Sequence, residues 1–70
     1  MKEKEVELLI MLSNLNLDLD TITATMLMIK QKENGYKLLI DFINSNKKDN
    51  LNRNVILRKT IEIVEKIEYE

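Results

Sequence analysis

Residues 52–69 read NRNVILRKTIEIVEKIEY, and this stretch decides the fold. At about 100° per residue, Leu57, Ile61 and Val64 fall together, with Ile56, Thr60, Ile63 and Ile67 beside them, in an apolar arc of roughly 160°. Arg58, Lys59, Glu62, Glu65, Lys66 and Tyr69 take the opposite side. Glu62 precedes Lys66 in the favourable i, i+4 order, and Asn52 is placed to cap the first turn while Leu51 staples to Ile56. The spacing predicts an amphipathic helix over residues 52–69.

The same periodicity extends upstream. Proline is absent and the sole glycine is Gly35, so little interrupts helical runs rich in Leu, Met, Glu and Lys. A first helix is predicted over residues 2–13, with Glu3, Glu5 and Glu7 suited to its positive N-terminal end. Its second half is apolar nearly all round: Leu8, Met11 and Leu12 lie away from Val6, Leu9 and Ile10. A second helix is predicted over residues 19–33, capped by Asp18 or Asp20, with Leu17 able to meet Ile22. Ile22, Met26 and Ile29 form its inner line, and Leu27 and Met28 point elsewhere. Asn34 and Gly35 supply a turn, because both tolerate the left-handed conformation that closes a helix. The third helix is predicted over residues 36–46, burying Leu39, Ile40, Phe42 and Ile43 and leaving Lys37, Asp41, Asn44 and Ser45 outside. Residues 45–50 form a polar connection. The fold class is therefore all-α: one domain over residues 1–70, a small bundle of about four short antiparallel helices.

The chain has no histidine and no cysteine among its 70 residues. The commonest general base, the usual transition-metal ligands and the strongest neutral-pH nucleophile are thus missing. A single glycine rules out a glycine-rich phosphate loop. Asp18 and Asp20 resemble the start of a calcium loop, but Ile22 stands where the next ligand belongs and the required glycine is missing, so they read as helix caps. Glu62, Glu65 and Glu68 recur every three residues, but di-iron bundles also need Glu-x-x-His. They read as a solvated face. Ser13 and Ser45 have no candidate base nearby and fall in no nucleophile motif. No enzyme activity and no cofactor or metal is expected.

Area scaling for 8.3 kDa gives on the order of 110 kcal/mol from apolar burial, against roughly 105 kcal/mol for ordering the chain. A monomer of this size is marginal, and without cysteine neither disulfides nor the usual zinc sites can support it. Association is the remaining stabiliser, so a homodimer is expected. Leu8, Met11, Leu12, Leu27 and Met28 lie outside the narrowest core lines of their helices and are the candidate protein interface, with methionine suited to adaptable contact. The leading expectation is a small regulator or inhibitor that binds itself and another protein.

Charge supplies the alternative. The net charge is -1, yet residues 47–59 hold Lys47, Lys48, Arg53, Arg58 and Lys59 against Asp49 alone. Lys47, Lys48, Arg53, Asn54, Arg58 and Lys59 are accordingly the candidate nucleic-acid contacts of a dimeric helix-turn-helix-like regulator, since Arg and Asn suit guanine and adenine edges. The pI near 5.5 and the acidic end weaken the attraction to phosphate. The early glutamates and short apolar run give no signal peptide, and no stretch is long enough to span a membrane, so a cytoplasmic protein is expected. Abundant Ile, Asn and Lys beside few Ala and Gly fit AT-rich codons and a low-GC bacterial or phage source.

Overall fold

The structure is a computed structural model that describes residues 2–66. Among these residues there are four α-helices and no strand: α1 (Glu3–Ser13), α2 (Leu19–Ile29), α3 (Gly35–Asn44) and α4 (Arg53–Glu65). Helix α4 stops at Glu65, with Lys66 already extended, rather than running on toward the predicted end at residue 69, and the predicted features at Ile67, Glu68 and Tyr69 themselves lie outside the described residues.

Two of the starts follow the predicted capping chemistry. The Asp18 side chain accepts from the Thr21 backbone N–H at 3.2 Å and opens α2, and Asn52 Oδ1 accepts from Val55 N–H at 3.0 Å and opens α4. Each satisfies an N–H that the helix itself leaves without a partner. Helix α1 has no side-chain cap, and its start is favoured only by Glu3 and Glu5 near the positive end. Asn16, in the left-handed region at φ 61°, turns the chain from α1 toward α2.

The second helix is four residues shorter than its predicted end at Glu33. After Ile29, tight bonds from Gln31 N–H to the Met28 carbonyl and from Lys32 N–H to the Ile29 carbonyl wind the chain off the helix. The residues involved, Lys30 to Glu33, carry no apolar side chain to bury. Asn34 takes the left-handed conformation at φ 63°, while Gly35 does not: it is the first residue of α3. Gly35 is needed for space, because a Cβ there would sit 2.4 Å from the Ile29 carbonyl oxygen. Helix α3 closes at Asn44 through side chains, with Ser45 Oγ donating to the Asp41 carbonyl at 2.8 Å and Asn46 Nδ2 to that of Phe42 at 2.7 Å. A short 3₁₀ turn, Lys48–Asn50, leads to buried Leu51.

The core draws on every helix: Leu8 and Leu12 from α1, Ile22 and Ile29 from α2, Leu39, Ile40 and Ile43 from α3, and Ile56 and Ile63 from α4, closed by Leu51. Thr21, Thr25 and Thr60 are buried among the same helices. The most extensive pairings are α2 with α4 and α1 with α3, so the bundle is not a simple stack of sequence neighbours. Two polar contacts fix the sense of the α2 and α4 pair. Arg53 bonds to Thr21 where both helices begin, and Lys32 Nζ donates to the Lys66 carbonyl at 3.2 Å just beyond where both end. These two helices therefore run side by side in the same direction.

This core corrects two placements made from periodicity. Leu8 and Leu12 are both 0% exposed, so they hold the bundle together and offer no surface to a partner. The apolar side chains that α1 leaves outside are Val6 and Ile10, four residues apart on the face opposite Leu8. In α4 the buried line is Ile56, Thr60 and Ile63, whereas Ile61 is exposed.

Candidate functional site

Helix α4 presents two sides to its neighbours, and each carries polar side chains that the sequence places in the basic segment. Toward α2, the Arg53 Nε–H donates to Thr21 Oγ1 at 2.8 Å and lies 3.8 Å from Asp18 Oδ1. The Thr21 hydroxyl in turn donates to Asp18 Oδ1, so one buried hydroxyl relays between the cap of α2 and the first turn of α4. That hydroxyl first of all, with the Thr21 backbone N–H and the Arg53 charge adding to it, holds the Asp18 carboxyl below its ordinary value.

Toward α3, Lys59 Nζ donates to Glu62 Oε1 at 2.6 Å and stands 5.2 Å from the centre of the Phe42 ring. The bond from Lys59 lowers the Glu62 carboxyl. Phe42 and Leu38, four residues apart on α3, and Ile63 on α4 floor a groove of about 730 Å³ between the two helices. Its rim is polar, with Asp41 and Ser45 on one side and Lys59, Glu62, Glu65 and Lys66 on the other. Asp41 is also bonded, at 2.9 Å, by Lys37, whose own pKa is raised by that contact. An apolar floor inside a charged rim is suited to an apolar side chain or a short amphipathic segment. Ser45 on its rim, among the described residues, bonds to the Asp41 carbonyl and not to a carboxylate. Among the described residues, no group of three or more acidic side chains comes together to hold a metal ion.

The six basic-segment candidates do not gather on one face. From Arg53 to Lys59 the helix turns through about 120° net, which carries Arg53 to the α2 side and Lys59 to the α3 side. Asn54 and Arg58 point outward between them and are exposed, as are Lys47 and Lys48 before the helix. Of the five interface candidates, Leu8 and Leu12 are enclosed, Met11 and Met28 are half-buried, and Leu27 is 53% exposed. Leu38 was not singled out from sequence. Its signal is the i, i+4 spacing to Phe42, one position to the side of the buried line formed by Leu39 and Ile43.

None of the described helices is long and apolar enough to cross a membrane. Compared with known proteins, the chain matches no family model, no curated protein and no solved structure.

Proposed function

We propose that this chain is a non-catalytic protein-interaction module, a small cytoplasmic regulator or inhibitor that acts as a homodimer and takes an apolar segment of a partner protein in the α3–α4 groove. The observation that carries this reading is the groove itself, in which Leu38, Phe42 and Ile63 form an apolar floor inside a polar rim. Lys59 contributes to both parts: its ammonium lies over Phe42 while Glu62 balances the charge. A sequence without histidine or cysteine supports a binding role over a catalytic one.

Selection of a displayed random-peptide library on the immobilised protein, counter-screened against Leu38→Glu, tests the groove. Peptides with spaced apolar anchors are expected to bind the native chain and to lose about tenfold or more on the variant, which places a carboxylate at the floor. A library that yields no binders, or only binders indifferent to Leu38, removes the groove from the reading. Sedimentation equilibrium tests the homodimer, which a single monomeric species at about 100 µM would exclude.

A further inference from the structure

Helix α4 carries a second apolar line, turned away from the groove. Leu57, Ile61 and Val64 follow one another at spacings of four and three, the seam spacing of paired helices. Ile61 is 44% exposed, and Leu57 and Val64 are half-buried beside it. Arg58 and Glu65 each stand one position after a member of that line. Being seven residues apart, they share one flank of it, about 10 Å apart along the helix. Both are exposed on the flank nearer the groove, which Glu65 also borders, and neither makes an ion pair among the described residues, whereas Arg53, Lys37 and Lys59 are each paired within the fold.

Helix α2 widens the same surface. Met28 lies two turns after Thr21, on the face that meets Arg53, and the contacts of Thr21 with Arg53 and of Lys32 with Lys66 set a register that brings Met28 level with Ile61. Leu27, beside it, is exposed. The strip of Leu57, Ile61 and Val64 on α4 thus has the half-buried Met28 level with it on α2, whereas Leu27 lies about 100° further round α2.

We infer that a second copy of this chain packs on this face, with the two α4 helices antiparallel about a two-fold axis beside Ile61, so that Arg58 of each copy meets Glu65 of the other. The direction follows from charge. The midpoint between Arg58 and Glu65 falls beside Ile61, so antiparallel pairing sets opposite charges together twice, once on each side of the axis. Parallel pairing about a two-fold axis would instead put the Arg58 and Glu65 flanks of the two copies on opposite sides of the seam, where neither charge meets its counterpart. A two-fold axis also makes the patch its own complement, as an isologous interface requires. The inference rests on the homodimer part of the reading above and assigns its interface.

Sedimentation equilibrium of the full chain, with circular dichroism as the fold control, is run on the native protein, R58E, E65R, the R58E/E65R pair and I61E. The native chain is expected to dimerise. R58E and E65R, which each set like charges against one another, weaken it by about tenfold or more, and the doubly exchanged chain recovers to within about threefold of native. I61E remains monomeric with its helix content kept. A dimer unaffected by these changes overturns the interface while leaving the homodimer standing, and failure of the double exchange to recover overturns the antiparallel pairing. A native chain that stays monomeric overturns both interface and homodimer.

Discussion

Arg53 and Thr21 are joined by a 2.8 Å hydrogen bond that ties the first turn of α4 to the first turn of α2 across 32 residues of sequence. The Thr21 hydroxyl is buried and has both of its roles filled, accepting from Arg53 and donating to Asp18. Because the Arg53 side chain is largely exposed, solvent screens the charge, and the bond is worth about 1 kcal/mol. Arg53→Ala is expected to lower unfolding stability by about that amount, and Thr21→Val should show a coupling to it of about 0.5–1 kcal/mol in a double-mutant cycle. Strict additivity in urea titrations would mean that the contact contributes nothing.

Asp18 makes the same corner sensitive to acid. Its folded pKa lies below the ordinary value, chiefly through the Thr21 hydroxyl. As pH falls, the unfolded chain therefore binds a proton first. The stabilisation is present above the unfolded value of about 3.9 and is lost as pH drops through the folded one. Asn in place of Asp18 keeps a capping oxygen but not the charge, so D18N should flatten this part of the acid limb below about pH 4. Glu62 is lowered too, by Lys59, so the informative quantity is the difference between native and D18N curves. Parallel curves across that range would contradict the assignment.

How a helix with apolar residues on nearly every side seats itself is tested on α1. Leu12 is fully enclosed and Ile10 is 55% exposed, although the two are only two positions apart. Leu12→Ala is expected to cost about 2–5 kcal/mol and Ile10→Ala less than about 0.5 kcal/mol, measured by denaturant unfolding of the same preparation. Similar costs at both positions would reverse the seating of α1.

That example marks what the sequence makes legible. The four helices follow from spacings of three and four, and the caps at Asp18 and Asn52 follow from an Asx residue standing before an apolar run, which is local chemistry. The inner face of α1 was not legible, because periodicity selects a face only when one side is polar. The end of α2 is illegible for the opposite reason: Lys30, Gln31, Lys32 and Glu33 all favour helix, but the chain tightens after Ile29 and turns through left-handed Asn34 to bring Gly35 against Ile29, a tertiary contact. For the basic segment, composition shows five cations, but the partners that hold Arg53 and Lys59 come from Thr21 and Phe42, contacts that need the tertiary fold.

Gly35 is therefore expected to resist the substitution that helix propensity recommends. Alanine gains about 1 kcal/mol within a helix, but its Cβ would meet a backbone oxygen at 2.4 Å, and a carbonyl at the end of α2 cannot swing aside as a side chain can. Gly35→Ala should destabilise by about 2 kcal/mol or more. Asn34→Gly, at a left-handed position one residue earlier, should stay within about 0.5 kcal/mol of native. A stable G35A protein with a raised midpoint would show that α2 and α3 do not approach this closely.

Dispersal of the cations around α4 bears on nucleic acid. Arg53 and Lys59 are turned to opposite neighbours, leaving Lys47, Lys48, Asn54 and Arg58 exposed beside an acidic remainder of the chain. A titration of mixed-sequence DNA in low salt is expected to show no binding through the usual non-specific range of about 10⁻⁴ to 10⁻⁶ M. Saturable binding that weakens on Arg58→Ala would restore the basic segment as a contact surface.

The buried threonines supply the last test. Thr60 Oγ1 donates to the Ile56 carbonyl at 2.7 Å, while Thr25 Oγ1, equally enclosed, has no hydrogen-bond partner among the described residues. Valine has nearly the shape of threonine and the same branching at Cβ, so either replacement leaves packing almost unchanged and removes only the hydroxyl. At Thr25 that hydroxyl costs desolvation and gains nothing in return, and Thr25→Val should raise stability by about 1 kcal/mol. At Thr60 the lost bond offsets the gain, and Thr60→Val should be neutral or lower stability by up to about 1 kcal/mol. The quantity to compare is the difference between the two urea midpoints at constant slope. If T25V melts at or below T60V, the Thr25 hydroxyl has a partner in solution, and the α2–α4 contact is more polar than its side chains imply.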